Sequence, residues 1–181
     1  MGKGKKIDKQ AFLNDVLKRY DQHITTTNFK VALLMSFLGV VTFGLLSRLF
    51  DVDPPKAEDD CLHMLLQIST SVTVLISLYS AFTLLRVVFP NTSSDSRYRS
   101  LIFFGDVASF ENGAEGYLKK VKAATKKSLN RDLATQTYEV AKIVSKKFSL
   151  LQHAVTVLKF GVMPALTVSM LLQVIYGVLA P

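Results

Sequence analysis

Tryptophan is absent from this 181-residue chain, and cysteine occurs once, at Cys61. A lone cysteine excludes an intrachain disulfide and leaves only a bond across a dimer axis. Histidine is nearly as scarce: His23, His63 and His153 stand far apart, with no metal-ligand spacing around them. A phosphate loop, a nucleophile elbow and a His–carboxylate constellation are all missing. The spacing of Asp95, Asp106, Glu111, Glu115, Asp132 and Glu139 suggests helix capping and salt bridging rather than acid–base work. The chain therefore reads as a non-enzyme that needs no cofactor.

Charge is missing over three long runs. None falls between Val31 and Ser47, none between Cys61 and Leu85 apart from a proton on His63, and none after Lys159. A bilayer core of about 30 Å needs about 20 mostly apolar helical residues. Each run meets or approaches that length, and Lys30 and Arg48 can snorkel to extend the shortest. A buried helix of a soluble bundle keeps a polar face, whereas Leu62 to Val88 shows only scattered Ser and Thr. Three membrane spans are expected. They lack the ionisable groups that mark transport; Lys159 is placed to snorkel at the inner leaflet. No cleavage site for a signal peptide follows the first run, and Gly2 lacks the downstream Ser or Thr of a myristoylation signal.

The basic residues set the expected orientation. The N-terminal arm carries Lys3, Lys5, Lys6, Lys9, Lys18 and Arg19, and the connector between the second and third runs is rich in Lys and Arg from Arg97 to Lys147. The hairpin DVDPPKAEDD offers only Lys56 among its acids. Cytoplasmic flanks retain Lys and Arg, so the N-terminus and connector are expected inside, and the hairpin and C-terminus outside. The net charge of +8 mostly reflects this bias. A basic face below a bilayer attracts anionic headgroups or a phosphorylated ligand; no nucleic-acid-binding motif accompanies it.

From Ile7 to Thr27, the apolar residues Ile7, Phe12, Val16, Tyr20 and Ile24 recur at helical spacing, with Asp8 as N-cap. In the connector, Leu129, Leu133, Thr137, Val140, Val144, Phe148 and Leu151 form a second seam, with Asn130 or Ser128 as the expected cap. No Gly or Pro interrupts Leu129 to Phe160, so this helix should run into the last span. Some 50 residues would reach about 75 Å, with a bend at Gly161 and Pro164. The expected fold is an all-α membrane protein. It divides into an N-terminal amphipathic helix (1–29), the first span (30–50), an external acidic hairpin (51–61), the second span (62–88), a compact, mainly helical cytoplasmic module (89–150) and the last span (151–181). Within the module, SLIFFGDVASF is an apolar segment in polar surroundings. Phe103 and Phe104 are expected to anchor it, and Gly105 to reverse the chain and present Asp106.

LIFFGD, Tyr117 and RDLATQTYEVAKIVSKKFSLL together resemble the signature of the Pycsar effector transmembrane family. The matching helix positions are Asp132, Gln136, Tyr138, Lys142, Lys147 and Phe148. NFKV resembles the family's first-span element, with Lys30 in place but Asn28 for its acid and Val31 for its alanine. Ser149 and Gln152 stand where relatives often carry arginine, and are not taken as anion contacts. The resemblance implies a bacterial antiphage effector of the inner membrane. A partner cyclase would make a cyclic pyrimidine mononucleotide, cyclic UMP or cyclic CMP. The module would bind it, the helices would assemble as a homo-oligomer and disrupt the membrane, and the infection would abort.

Such a ligand presents a phosphate, a ribose hydroxyl and a flat base. Lys30, Lys142 and Lys147 are the candidates for the anion, at about 1.5–3 kcal/mol per charge-assisted contact. Phe103, Phe104 and Tyr138 are the candidates for stacking, at about 1–3 kcal/mol by analogy with single-stranded nucleic acid. Asp106, Asp132 and Gln136 could meet the ribose or base edge. Structural roles stand beside each: the phenylalanines as anchors, Asp132 at its helix's first turn, Tyr138 in the seam and the lysines on a solvated face. The competing reading is a constitutive membrane anchor recruiting a partner through the basic helix.

Overall fold

In the computed structural model the described residues are 8–51, 60–89 and 99–179, and helix is the only regular structure among them. Helix α1 spans Lys9–Asp51, α2 Asp60–Val88, α3 Phe104–Ala108, α4 Gly113–Ala123 and α5 Lys126–Val157; a π turn at Leu158–Val162 leads into α6, Met163–Leu179. Three helical stretches are long and apolar enough to cross a membrane: Lys9–Leu49, Cys61–Val88 and Lys126–Val178. The expected all-α membrane architecture holds. Most of the acidic hairpin, and the polar loop after Pro90, lie outside the described residues.

Helix α1 starts where Asp8 caps it: its carboxylate accepts the backbone N–H of Gln10 at 3.0 Å and of Ala11 at 3.4 Å. The amphipathic stretch then passes into the first span without a break, so the boundary placed at residue 29 falls inside one helix. Helix α5 is capped one turn earlier than expected. Thr125 Oγ1 accepts the Ser128 N–H at 3.1 Å, and Ser128 Oγ accepts the Thr125 N–H at 3.0 Å. This is a capping box with serine in the usual Glu position, and it replaces the cap expected from Asn130 or from Ser128 alone. The expected bend near Gly161 and Pro164 takes the form of the π turn. Pro164 has no N–H to give the Phe160 carbonyl, and its ring would crowd that oxygen in a regular α-helix; widening the preceding turn relieves the conflict.

The chain separates into two compact units, residues 1–26 with 91–146, and residues 27–90 with 147–181. The second is an inside-out bundle. Phe29, Val40, Phe43, Leu75, Phe82, Leu171, Val174 and Val178 are exposed on its surface, while Thr70, Thr73, Ser77, Ser80 and Ser169 are buried. Such a surface suits lipid and not water, which is why runs without a polar face can fold. Its apolar centre joins Val31 and Leu38 of α1, Leu84 and Val87 of α2, Leu151 and Ala154 of α5 and Val162 of the π turn. Helix α2 also packs along α6 and the π turn, where Ser169 Oγ lies 2.8 Å from both Ser69 Oγ and Thr73 Oγ1.

In the first unit the chain reverses at Asn112 and Gly113, both in the left-handed region with φ of 63° and 57°. The reversal expected at Gly105 is absent: Gly105 lies within α3. Gly116 holds the turn closed, because a Cβ there would sit 1.9 Å from the Glu111 carbonyl oxygen.

Candidate functional site

Residues 100–103 lie outside any helix or strand and bend at Leu101 and Ile102, so their backbone groups need partners from outside any ladder or helix. Two carboxylates supply them. Asp106 Oδ2 accepts the Ser100 N–H at 2.8 Å, and Asp132 Oδ2 accepts the Leu101 N–H at 2.7 Å. The Ser100 hydroxyl accepts the N–H groups of Ile102 and Phe103, each at 3.0 Å. The Tyr117 hydroxyl closes the set by donating to the Leu101 carbonyl at 3.0 Å. Residues from α3 and α5 thus accept two consecutive amides, Ser100 accepts the next two, and Tyr117 of α4 donates to the Leu101 carbonyl. Arg99 ties the ends of the segment: its guanidinium donates to the Ser109 carbonyl at 2.6 Å and lies 4.9 Å from the centre of the Phe110 ring, which in turn leans on Tyr117.

Asp132 is the centre of this knot. It is 1% exposed, and Oδ1, its second oxygen, has no hydrogen-bond partner. A carboxylate buried with half its capacity unused costs free energy, so the oxygen is a ready acceptor for a hydroxyl or amide donor. Phe103 is half-buried, and Phe104, with its ring centre 4.8 Å away, is 78% exposed. Only Phe103 can serve as an anchor. The reason is local: α3 begins at Phe104, and the chain direction changes between the two rings.

The remaining candidates divide between the units. Gln136 is half-buried on α5, and Tyr138, two residues on and so about 200° around the same helix, is exposed. The Lys142 ammonium donates to Glu139 at 2.8 and 3.0 Å and stands 5.4 Å from the centre of the Tyr138 ring. Lys30 and Lys147 belong to the other unit. Lys30 is exposed, whereas Lys147 is buried, and its ammonium donates to Asn28 Oδ1 at 3.0 Å and to the Val88 carbonyl at 3.2 Å. It therefore ties α1, the end of α2 and α5 together, with neutral acceptors only. Sequence reasoning passed over Ser100 and Arg99. The signal for Ser100 was a serine two and three residues ahead of amides that had nowhere else to bond.

The family model for the Pycsar effector protein domain matches residues 12–174. The chain belongs to the Pycsar effector family. It is 28% identical over 153 residues, covering 80% of each chain, to the Pycsar effector protein EcPycTM of Escherichia coli. No solved structure matches the chain. Membership makes this an antiphage defence effector, and Pycsar effectors work with a cyclic nucleotide signal made by a cyclase. Its membrane character agrees with the three spanning helices. The knot gathers residues of LIFFGD, Tyr117 and Asp132 of α5, and together they hold an irregular segment in place.

Proposed function

We propose that this Pycsar effector binds a cyclic pyrimidine mononucleotide, cyclic UMP or cyclic CMP, on its cytoplasmic module and then disrupts the inner membrane, aborting infection. The observation that carries the reading is α5. Residues of this single uninterrupted helix include Asp132, Gln136, Tyr138 and Lys142 in the first unit, and Leu151 and Ala154 in the apolar centre of the span bundle. A ligand that alters the helix at one end has a mechanical connection to the other.

The chemistry of the module suits such a ligand. Phe104 and Tyr138 offer exposed aromatic faces to the base, each stacking contact contributing about 1–3 kcal/mol. Lys142 offers a cation to the phosphate, and Asp132 Oδ1 and Gln136 offer polar groups to the ribose or base edge. Asp106 and Phe103 support the segment rather than touch the ligand, and Lys147 works as the tie between helices. The basic arm and connector support an orientation with the N-terminus inside and the C-terminus outside. The protein acts by binding and permeabilisation, as a homo-oligomer, without catalysis.

The test is titration of the purified chain with cyclic UMP and cyclic CMP, followed by leakage from liposomes carrying it. Absence of binding to both would remove the nucleotide from the mechanism; binding without leakage would remove the membrane lesion. The second reading, a constitutive anchor, draws on the exposed Lys119, Lys120 and Lys122 of α4. It predicts normal growth when the effector is overexpressed with its cyclase, and a stable partner in pull-downs.

A further inference from the structure

The buried face of α2 changes character along its length. In chain order its buried residues are His63, Leu66, Thr70, Thr73, Val74, Ser77, Ser80 and Thr83, so hydroxyls predominate as far as Thr83, and beyond it come Leu84 and Val87. Some of the hydroxyls join helices, as Ser69, Thr73 and Ser169 do. Others join nothing: Ser77 Oγ, Ser80 Oγ and His63 Nε2 have no hydrogen-bond partner, although the residues are 0%, 0% and 7% exposed. Unpaired polar atoms are costly inside a bilayer. Helices that only needed to approach closely could do so with alanine or glycine. The hydroxyls that bond to nothing therefore point to a state in which this seam is wet.

We propose that the hydroxyl seam along α2, joined to α6 at Ser169, is a closed path for small ions, and that the aliphatic cluster around Leu84 and Val87 is its gate. The inference rests on the effector reading above and specifies the lesion. Neutral hydroxyls can replace part of an ion's hydration shell without selecting strongly for its sign. The side chains of Val31, Leu38, Leu84, Val87, Leu151, Ala154 and Val162 are all apolar and favour expulsion of water from among them, with the buried Thr27, Thr83 and Lys147 at the border of the cluster; hydrophobic constrictions gate by such dewetting. Leu151 and Ala154 of α5 form part of this cluster, so displacement of α5 parts the gate.

The experiment uses the full chain in liposomes loaded with potassium ions and with the bulky dye calcein. Val31→Thr with Val87→Thr keeps side-chain shape and makes the gate wettable. Potassium efflux without nucleotide should rise about tenfold or more over the unsubstituted chain while calcein stays inside. Unchanged potassium efflux, or calcein release at the same rate, overturns the proposal. Thr73→Val with Ser77→Ala and Ser80→Ala removes the path instead. This variant should bind cyclic nucleotide normally and lose nucleotide-triggered potassium efflux about tenfold or more; undiminished efflux overturns the seam. The first arm contains no nucleotide, so it stands or falls separately from the ligand assignment.

Discussion

Substitution of Asp132 separates scaffold from ligand contact. In Asp132→Ala the Leu101 N–H loses its acceptor at 2.7 Å. A hydrogen bond to a charged group contributes about 1.5–3 kcal/mol, and each 1.4 kcal/mol is about a factor of ten. Local opening of residues 100–103 should therefore become about 10–100-fold more frequent, read as faster amide hydrogen exchange there. Helix α6, which has no part in the knot, should keep its protection. Asp132→Asn retains a carbonyl oxygen for Leu101, so its exchange should stay within about threefold of the original, equivalent to about 0.6 kcal/mol. Its amide nitrogen replaces the acceptor Oδ1, however, and a ligand hydroxyl that bonded there would lose its partner. Cyclic nucleotide affinity should then fall about tenfold or more. Unchanged exchange in Asp132→Ala would refute the knot. Exchange in Asp132→Asn as fast as in Asp132→Ala would show that charge, not an acceptor, holds the segment.

Gly116→Ala should unfold the first unit locally, because the new methyl would sit 1.9 Å from the Glu111 carbonyl oxygen; Gly39→Ala, with nothing within 4 Å, should leave stability level or raise it by up to about 1 kcal/mol through helix propensity. Thermal unfolding of the two variants side by side decides this, and equal behaviour would refute the close approach. Asn28→Asp places a carboxylate on the buried Lys147 ammonium, which now has neutral acceptors, and should stabilise the bundle by about 1–2 kcal/mol near neutral pH. A fall in thermal stability would show that desolvating the new carboxylate outweighs the pairing.

The helices were legible because their causes are local. Charge-free runs marked the spans, periodic apolar residues marked α5, and Asp8 announced the start of α1. The cap of α5 was harder to find because serine, not glutamate, completes the box begun by Thr125. The connector residues singled out in the sequence lie in unlike surroundings. Asp106 and Asp132 could be recognised as acids worth noting, but that both would bond amides of the SLIFF segment depends on contacts up to 31 positions apart. Phe103 and Phe104 look equivalent in the sequence and differ in exposure because a helix begins between them. Lys147 looked like a free cation; Asn28 and Val88, distant in sequence, make it a tie.

The π turn at Leu158–Val162 acts as a frameshift in the surface pattern of its helix. One additional residue in a turn rotates everything downstream by about 100°. Ser169 is buried against Thr73 while its neighbour Val168 is exposed. Leu151 and Ser169, both buried, lie five full turns apart in an unbroken 3.6-residue repeat and would share one face; the added residue sets them about 100° apart, so the helix aims a different face inward after the π turn. The identity of the side chain facing α2 is thus fixed five residues upstream, where Pro164 forbids the ordinary turn. Two relatives with the same residues in α6 but no proline there would present different linings to their neighbours.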